Sequence, residues 1–291
     1  MRLAVSRTLL FVLLALPPAT ATGADQAAPF TLGVAHILPR TPSALSGSAF
    51  AESLAGMDDA TREAAVLTQL MEGNLPDFLR TLKPVRLIGR SASGKTTTAT
   101  IFVMPDYLAI GSDDDFLRMP MRLSTATEIA TQFHFLLPTR KMVDAIFAQA
   151  DFRLAPEPLP PGPEMRSTEY YLQHNRIIEE QRQAMGAPLG DLMAGLKKDL
   201  VLTNRLTRAI GKVAIYGWHR PTGIPIQPLS TVHGARYADY SHGIRLVSDT
   251  MLIDGEPRSV YAVLEDPRLA PLVSDEGPIR DTRELMSGPH P

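Results

Sequence analysis

The chain has no cysteine. Disulfides therefore do not hold this fold, and thiolate catalysis and cysteine-ligated metals are excluded with them. Aromatics are scarce, at 6%, with a single tryptophan. Neither charge sign dominates: 29 basic residues face 31 acidic ones. A balance this even gives no reason to expect nucleic acid or an anionic membrane as partner. No apolar run approaches the roughly 20 residues that a membrane span requires. With 291 residues, 44% of them hydrophobic, the chain can bury a core without covalent staples.

The longest apolar run is Leu9–Leu16, which follows Arg2 and Arg7 and precedes Pro17, Pro18 and a set of small residues ending at Ala24. Basic start, short apolar stretch and small-residue cleavage pattern together read as a secretory signal over residues 1–24. The expected location is secreted or periplasmic, with no membrane span in the mature chain.

Residues 25–47, rich in Pro, Ala and Ser, read as a flexible arm, and 48–291 as a single domain. Acids at 58, 59 and 63 and an apolar stripe through Ala65, Leu67, Leu70 and Met71 predict a helix stopping near Gly73. A short second helix is expected over 75–82. Three β-prone segments, 85–88, 96–103 and 106–111, predict an antiparallel meander. Thr125 and Glu128 have the spacing of a capping box. A further helix starts at Thr139, where Arg140 and Lys141 oppose the helix dipole, implying an anionic partner or a pair with Asp144. Five prolines within 156–163 form a stiff connector. A polar helix is expected over 169–185, strands at 200–202, 213–216, 251–253 and 259–264, and a loose tail after Val273. The fold class is α+β, helices packed on a mainly antiparallel sheet.

Gly89 to Thr96 matches the phosphate-loop pattern G-x-x-x-x-G-K-[ST]. That pattern works only where a helix opens at the lysine. Here Thr97, Thr98, Ala99, Thr100, Ile101, Phe102 and Val103 follow, a β-prone run, so residues 91–95 read as a hairpin loop. Ser112-Asp113-Asp114-Asp115 could offer oxygen ligands to calcium but lacks the rest of a calcium loop.

The chemistry concentrates in residues 216–245, which hold Trp218, three of the seven histidines (His219, His233 and His242), and Gln227, Arg236, Tyr237, Asp239, Tyr240 and Arg245. Three readings compete. His233, Asp239 and His242 could ligate zinc and leave an open position for an acidified water. This spacing resembles the Ser-x-His-x6-Asp signature of zinc D-alanyl-D-alanine peptidases. Ser230, however, stands three residues before His233 rather than two, and Asp239 comes one residue early. In the zinc version His219 or Tyr240 would assist proton transfer and Arg245 would bind an anionic substrate group. Metal-free acid–base chemistry would instead have one imidazole oriented by Asp239, with Arg245 and Arg236 or Tyr240 holding a developing anion. Phosphoryl transfer is the third: His233-Gly-Ala-Arg236 and His242-Gly-Ile-Arg245 resemble the R-H-G-x-R-x-P stretch of histidine acid phosphatases, with Val232 in place of its first Arg and Ala238 in place of its Pro.

The leading expectation is an exported hydrolase, zinc-dependent in the first of these readings, acting on a cell-envelope peptide or glycan or another extracellular substrate. Its candidate catalytic residues are His219, His233, Asp239, Tyr240, His242 and Arg245. Its candidate substrate contacts are Trp218, Gln227, Arg236 and Tyr237. The alternatives are a non-enzymatic sugar- or peptide-binding protein, with Trp218, Tyr237 and Tyr240 as the platform, and a phosphoester hydrolase.

Overall fold

A computed structural model describes residues 33–90, 94 and 96–287. The leader expected at 1–24, the first part of the arm and most of the phosphate-loop-like turn lie outside the described residues. Along the chain, α1 (Gly47–Ser53) and α2 (Asp59–Met71) precede the strands β1 (Lys83–Arg90), β2 (Thr96–Val103), β3 (Ala109–Gly111) and β4 (Phe116–Arg118). Then come α3 (Leu123–Gln132), β5 (Phe135–Leu136), α4 (Arg140–Gln149), β6 (Phe152–Arg153) and α5 (Thr168–Ala184). The remainder holds β7 (Met193–Ala194), β8 (Lys198–Leu200), β9 (Ile215–His219), β10 (Pro225–Ser230), β11 (His242–Gly243), β12 (Val247–Ser248), β13 (Thr250–Ile253), β14 (Glu256–Ser259), α6 (Val260–Glu265) and α7 (Thr282–Ser287). The fold is α+β.

The larger sheet runs β14-β13-β2-β12-β5, with β1 also paired to β2, and its pairings are antiparallel. Along β2 the burial alternates: Thr97, Ala99, Ile101 and Val103 face inward, as a half-buried strand requires. Because residues 96–103 are strand and Arg90 pairs with Thr96, no helix follows Lys95 and the phosphate-loop mechanism has no scaffold. The smaller sheet runs β10-β9-β8-β11 and carries the polar cluster. Its β8–β11 pairing is parallel, aligning His242 with Lys198 and Gly243 with Asp199.

Several local expectations are corrected by long-range partners. The helix expected to be capped by Thr125 begins at Leu123 instead; the Thr125 hydroxyl donates to Glu63 Oε2 at 2.6 Å. Strand β3 pairs with β4 rather than extending the β1–β2 hairpin. The strand expected over 259–264 is the helix α6, and the loose tail is seated, with Ile279 and Met286 buried. The later part of the expected arm also lies against the fold, where Ala35 N–H donates to Arg80 O and Ile37 is buried. In the acidic run that lacks the rest of a calcium loop, Asp113 and Asp115 accept from the backbone N–H groups of Phe78 and Ser48. Thr139 caps α4 as expected, but Arg140 pairs with Asp275 rather than Asp144.

The polar helix α5 is fixed by a buried ion cluster. The guanidinium of Arg118 donates to Asp106 Oδ2 at 2.6 Å and to Glu179 Oε1 at 2.8 Å, and also to Asn175 Oδ1. Arg118 and Asp106 are fully buried, so neither can lose the other without a large desolvation cost. This cluster sets the face of α5 that presents His174 to the smaller sheet.

Candidate functional site

The site is built on β8 and β11. The backbone of Lys198 donates to Ser241 O at 2.8 Å, holding the two short strands together. Gly243 permits their close approach: a Cβ there would lie 2.5 Å from the Tyr107 ring and 2.9 Å from Lys197 Cβ. This pairing brings His242 beside Lys198 and turns the 233–242 loop back over the sheet.

Three of the residues singled out in the sequence converge. The His233 ring stacks on Tyr237 (centroids 4.3 Å apart, planes 7° apart), and both meet the His242 ring edge-on, at 5.9 and 5.8 Å. His233 and Tyr237 are half-buried, whereas His242 is fully buried. Asp239 Oδ2 lies 3.9 Å from His242 Nε2, beyond hydrogen-bond distance. Its other oxygen accepts from the Ser241 N–H at 2.8 Å and hydroxyl at 2.5 Å.

Neither ring nitrogen of His242 has a hydrogen-bond partner among the described residues. Buried polar atoms are nearly always paired. A fully buried imidazole with both nitrogens unspent is therefore the strongest functional signal in the cluster.

The electrostatics set the protonation states. Burial pushes His242 well below the ordinary histidine value, against the pull of Asp239. His233 is lowered too, first by burial and then by Lys198 and Lys212. Burial would raise Asp239, but His242, the Ser241 hydrogen bonds and Lys198 together more than offset it, and the carboxyl stays below its ordinary value. At neutral pH the cluster therefore holds two neutral imidazoles and one carboxylate. Lys198, itself lowered by burial, sits over the Trp218 ring at 5.2 Å.

The remaining candidates are placed elsewhere or are occupied. His219 turns away to Asp144 on α4, with Nε2 at 3.0 Å from Oδ1, and stacks on Phe147. Tyr216 O–H donates to the same Oδ1 at 2.8 Å. In a regular strand, residues 216 and 219 face opposite sides. Here Gly217 (φ +103°) and Trp218 (φ +52°) both take left-handed backbone and reset the alternation. Arg245, expected to bind an anionic group, is buried and structural. It donates to Met104 O and Met193 O at 2.8 and 2.6 Å and lies over the Tyr107 ring. Tyr240, expected to assist proton transfer, has its hydroxyl engaged by Leu159 N–H at 2.8 Å and Leu159 O at 3.3 Å. Trp218 and Tyr240 are buried, so the expected aromatic platform offers solvent only Tyr237. Gln227 donates to Pro228 O, and Arg236 is exposed. The phosphate reading needs Arg236 and Arg245 together, and one faces solvent while the other is bound to carbonyls. Among the described residues no three His, Asp or Glu side chains are placed to hold a metal ion, so the expected zinc set His233, Asp239 and His242 is gathered but not arranged as ligands.

Sequence reasoning missed Lys197 and Lys198, and took His174 for a structural residue of its helix. Lys197 is 1% exposed, donates to Tyr240 O at 2.5 Å and lies 3.3 Å from His174 Nδ1. Burial and then Arg118 lower its ammonium to about 7. The same burial, with Lys197 and Arg118, lowers His174 to about 2. A Lys-Lys-Asp triplet among apolar neighbours was the available signal.

No family model matches the chain, and neither a curated protein nor a solved structure is significantly similar to it.

Proposed function

We propose that this protein is an exported hydrolase whose catalytic group is the His233–Asp239–His242 cluster, acting on a cell-envelope peptide or glycan. The observation that carries the reading is His242, buried yet without a hydrogen-bond partner at either nitrogen among the described residues. A hydrogen-bonding group from outside the chain, water or substrate, is what such a ring is built to meet. His233 is the reachable imidazole and is neutral, the form that can take a proton from an attacking water. His242 holds that water, and Asp239 supplies the negative charge that favours an imidazolium while a proton is in transit. Apo catalytic contacts are often long and tighten with substrate, which accommodates the 3.9 Å separation. Lys198 is the cation beside the cluster and stabilises a developing oxyanion. The basic start, short apolar run and small residues of 1–24 support export, and the substrate class follows from that destination.

This reading derives no step through a metal: among the described residues no three His, Asp or Glu side chains are grouped to hold one. The test is turnover of purified peptidoglycan and of peptide amide and ester substrates by the wild type, His233→Ala and His242→Ala, with metal content measured alongside. Hydrolysis that falls by about 10²–10⁴ in both variants, with the fold intact, is the expected result. Undiminished turnover in His242→Ala would refute the assignment.

A further inference from the structure

A second polar centre lies in a cleft of about 420 Å³ between α4 and the β9–β10 hairpin. Its volume falls in the range typical of small-ligand pockets, about 300–1,000 Å³. Asp144 projects from α4 into this cleft, 47% exposed. Both donors that reach it, the Tyr216 hydroxyl and His219 Nε2, end on Oδ1. Oδ2 is left without a hydrogen-bond partner among the described residues. His219 cannot swing away, because Phe147 stacks on one face at 4.6 Å and Tyr216 meets it edge-on at 5.6 Å. The carboxylate is thus fixed in direction and has one oxygen to offer.

Arg153 lines the same cleft. Its guanidinium lies 5.4 Å from the Phe147 ring centre, and its Nε and Nη2 donate to Phe147 O and Ala148 O at the end of α4. Nη1 has no hydrogen-bond partner among the described residues. A fixed anion and a tethered cation therefore flank one aromatic ring, with Pro221 and Pro225 supplying apolar wall. A ligand matching this pattern carries an ammonium at one end, a carboxylate at the other and a short, weakly polar middle.

We propose that this cleft binds a short zwitterionic peptide, its amino terminus on Asp144 Oδ2 and its carboxyl terminus toward Arg153. Each end is a charge-assisted hydrogen bond, and the pair distinguishes a free peptide from a chain capped at either end. The site uses none of His233, Asp239, His242 and Lys198, the residues to which the proposed hydrolysis is assigned, so the two readings stand or fall separately.

Calorimetric titration of the full chain with tri-alanine, N-acetyl-tri-alanine and tri-alanine amide is the test. Tri-alanine binds, and each capped form binds at least about tenfold more weakly, the loss of one charged contact. Asp144→Asn keeps the side-chain shape and an acceptor for Tyr216 and His219, yet weakens tri-alanine by a similar factor and abolishes the penalty for acetylation. Arg153→Gln does the same for the amide. His242→Ala leaves the affinity unchanged. Absence of tri-alanine binding at millimolar concentration, or equal affinity for free and capped forms, overturns the proposal.

Discussion

Lys197 allows a quantitative test of the interior around the candidate site. Its ammonium is fully buried and contacts one carbonyl and one imidazole nitrogen, with no carboxylate among its hydrogen-bond partners. Burial, aided by the repulsion of Arg118, brings it from the ordinary 10.5 to about 7. Between those values the unfolded chain carries a proton that the native chain has released. Unfolding then takes up a proton, so stability rises with pH across this window, by about 1.4 kcal/mol per unit. Over the full interval that is on the order of 5 kcal/mol, and from pH 7 to 9.5 it is about 3 kcal/mol. The contribution is complete above 10.5 and is lost as pH falls toward 7. Urea unfolding of the wild type and of Lys197→Met at half-unit steps over pH 7–9.5 isolates it. The wild-type curve should climb and the variant's should lie flatter by that slope. Stopping at 9.5 avoids the buried tyrosines Tyr107 and Tyr171, whose raised values take stability away once unfolded tyrosine ionises near 10. Parallel curves for the two proteins would refute the buried, proton-shedding lysine.

Other perturbations test other parts of the molecule. Replacing Arg118 with Met leaves the Asp106 carboxylate buried without its partner and should cost about 3–5 kcal/mol in chemical denaturation. Thr139→Ala removes the α4 cap, where Oγ accepts from Met142 N–H, and should lower stability by about 1 kcal/mol. Gly217→Ala forces an alanine into φ +103°, with its Cβ 3.3 Å from Asp199 Oδ2 and 3.4 Å from the His219 ring. A loss of about 1–3 kcal/mol is expected, with a shifted His219 imidazole resonance by NMR. Asp199, raised to about 6 by burial, should titrate in the native protein near that value in a carboxyl-carbon NMR experiment and not near 3.8.

The sequence made the fold class legible because its signals were local. The alternating run of β2, the acid-led start of α2 and the Thr139 cap need no distant partner to be read. The failures share the opposite property. Thr125 had the spacing of a cap, but its hydroxyl is taken by Glu63, 62 residues earlier. The tail looked polar, yet Ile279 N–H finds Leu264 O and the chain folds back. The gathering of His233, Asp239 and His242 was visible because they lie within one short loop. The departure of His219 from them was not, since it depends on two left-handed residues in a strand, one of them a tryptophan whose conformation composition does not announce. Arg245 was misread for a related reason: an arginine beside a histidine looks exposed and reactive, while its real partners, Met104 O and Met193 O, are far away in sequence.

The backbone reversal at Gly217–Trp218 also fixes how β9 must sit against its neighbours. Sliding the strand by a single residue would bring a bulkier side chain to the spot where only a hydrogen now faces the Asp199 carboxylate. It would also strip Asp144 of both its donors in one movement. A strand with strict in-and-out alternation can slip by two residues and keep its pattern. Here the left-handed pair Gly217–Trp218 breaks that alternation, so a shift of two residues does not restore the pattern that sets Tyr216 and His219 on one carboxylate.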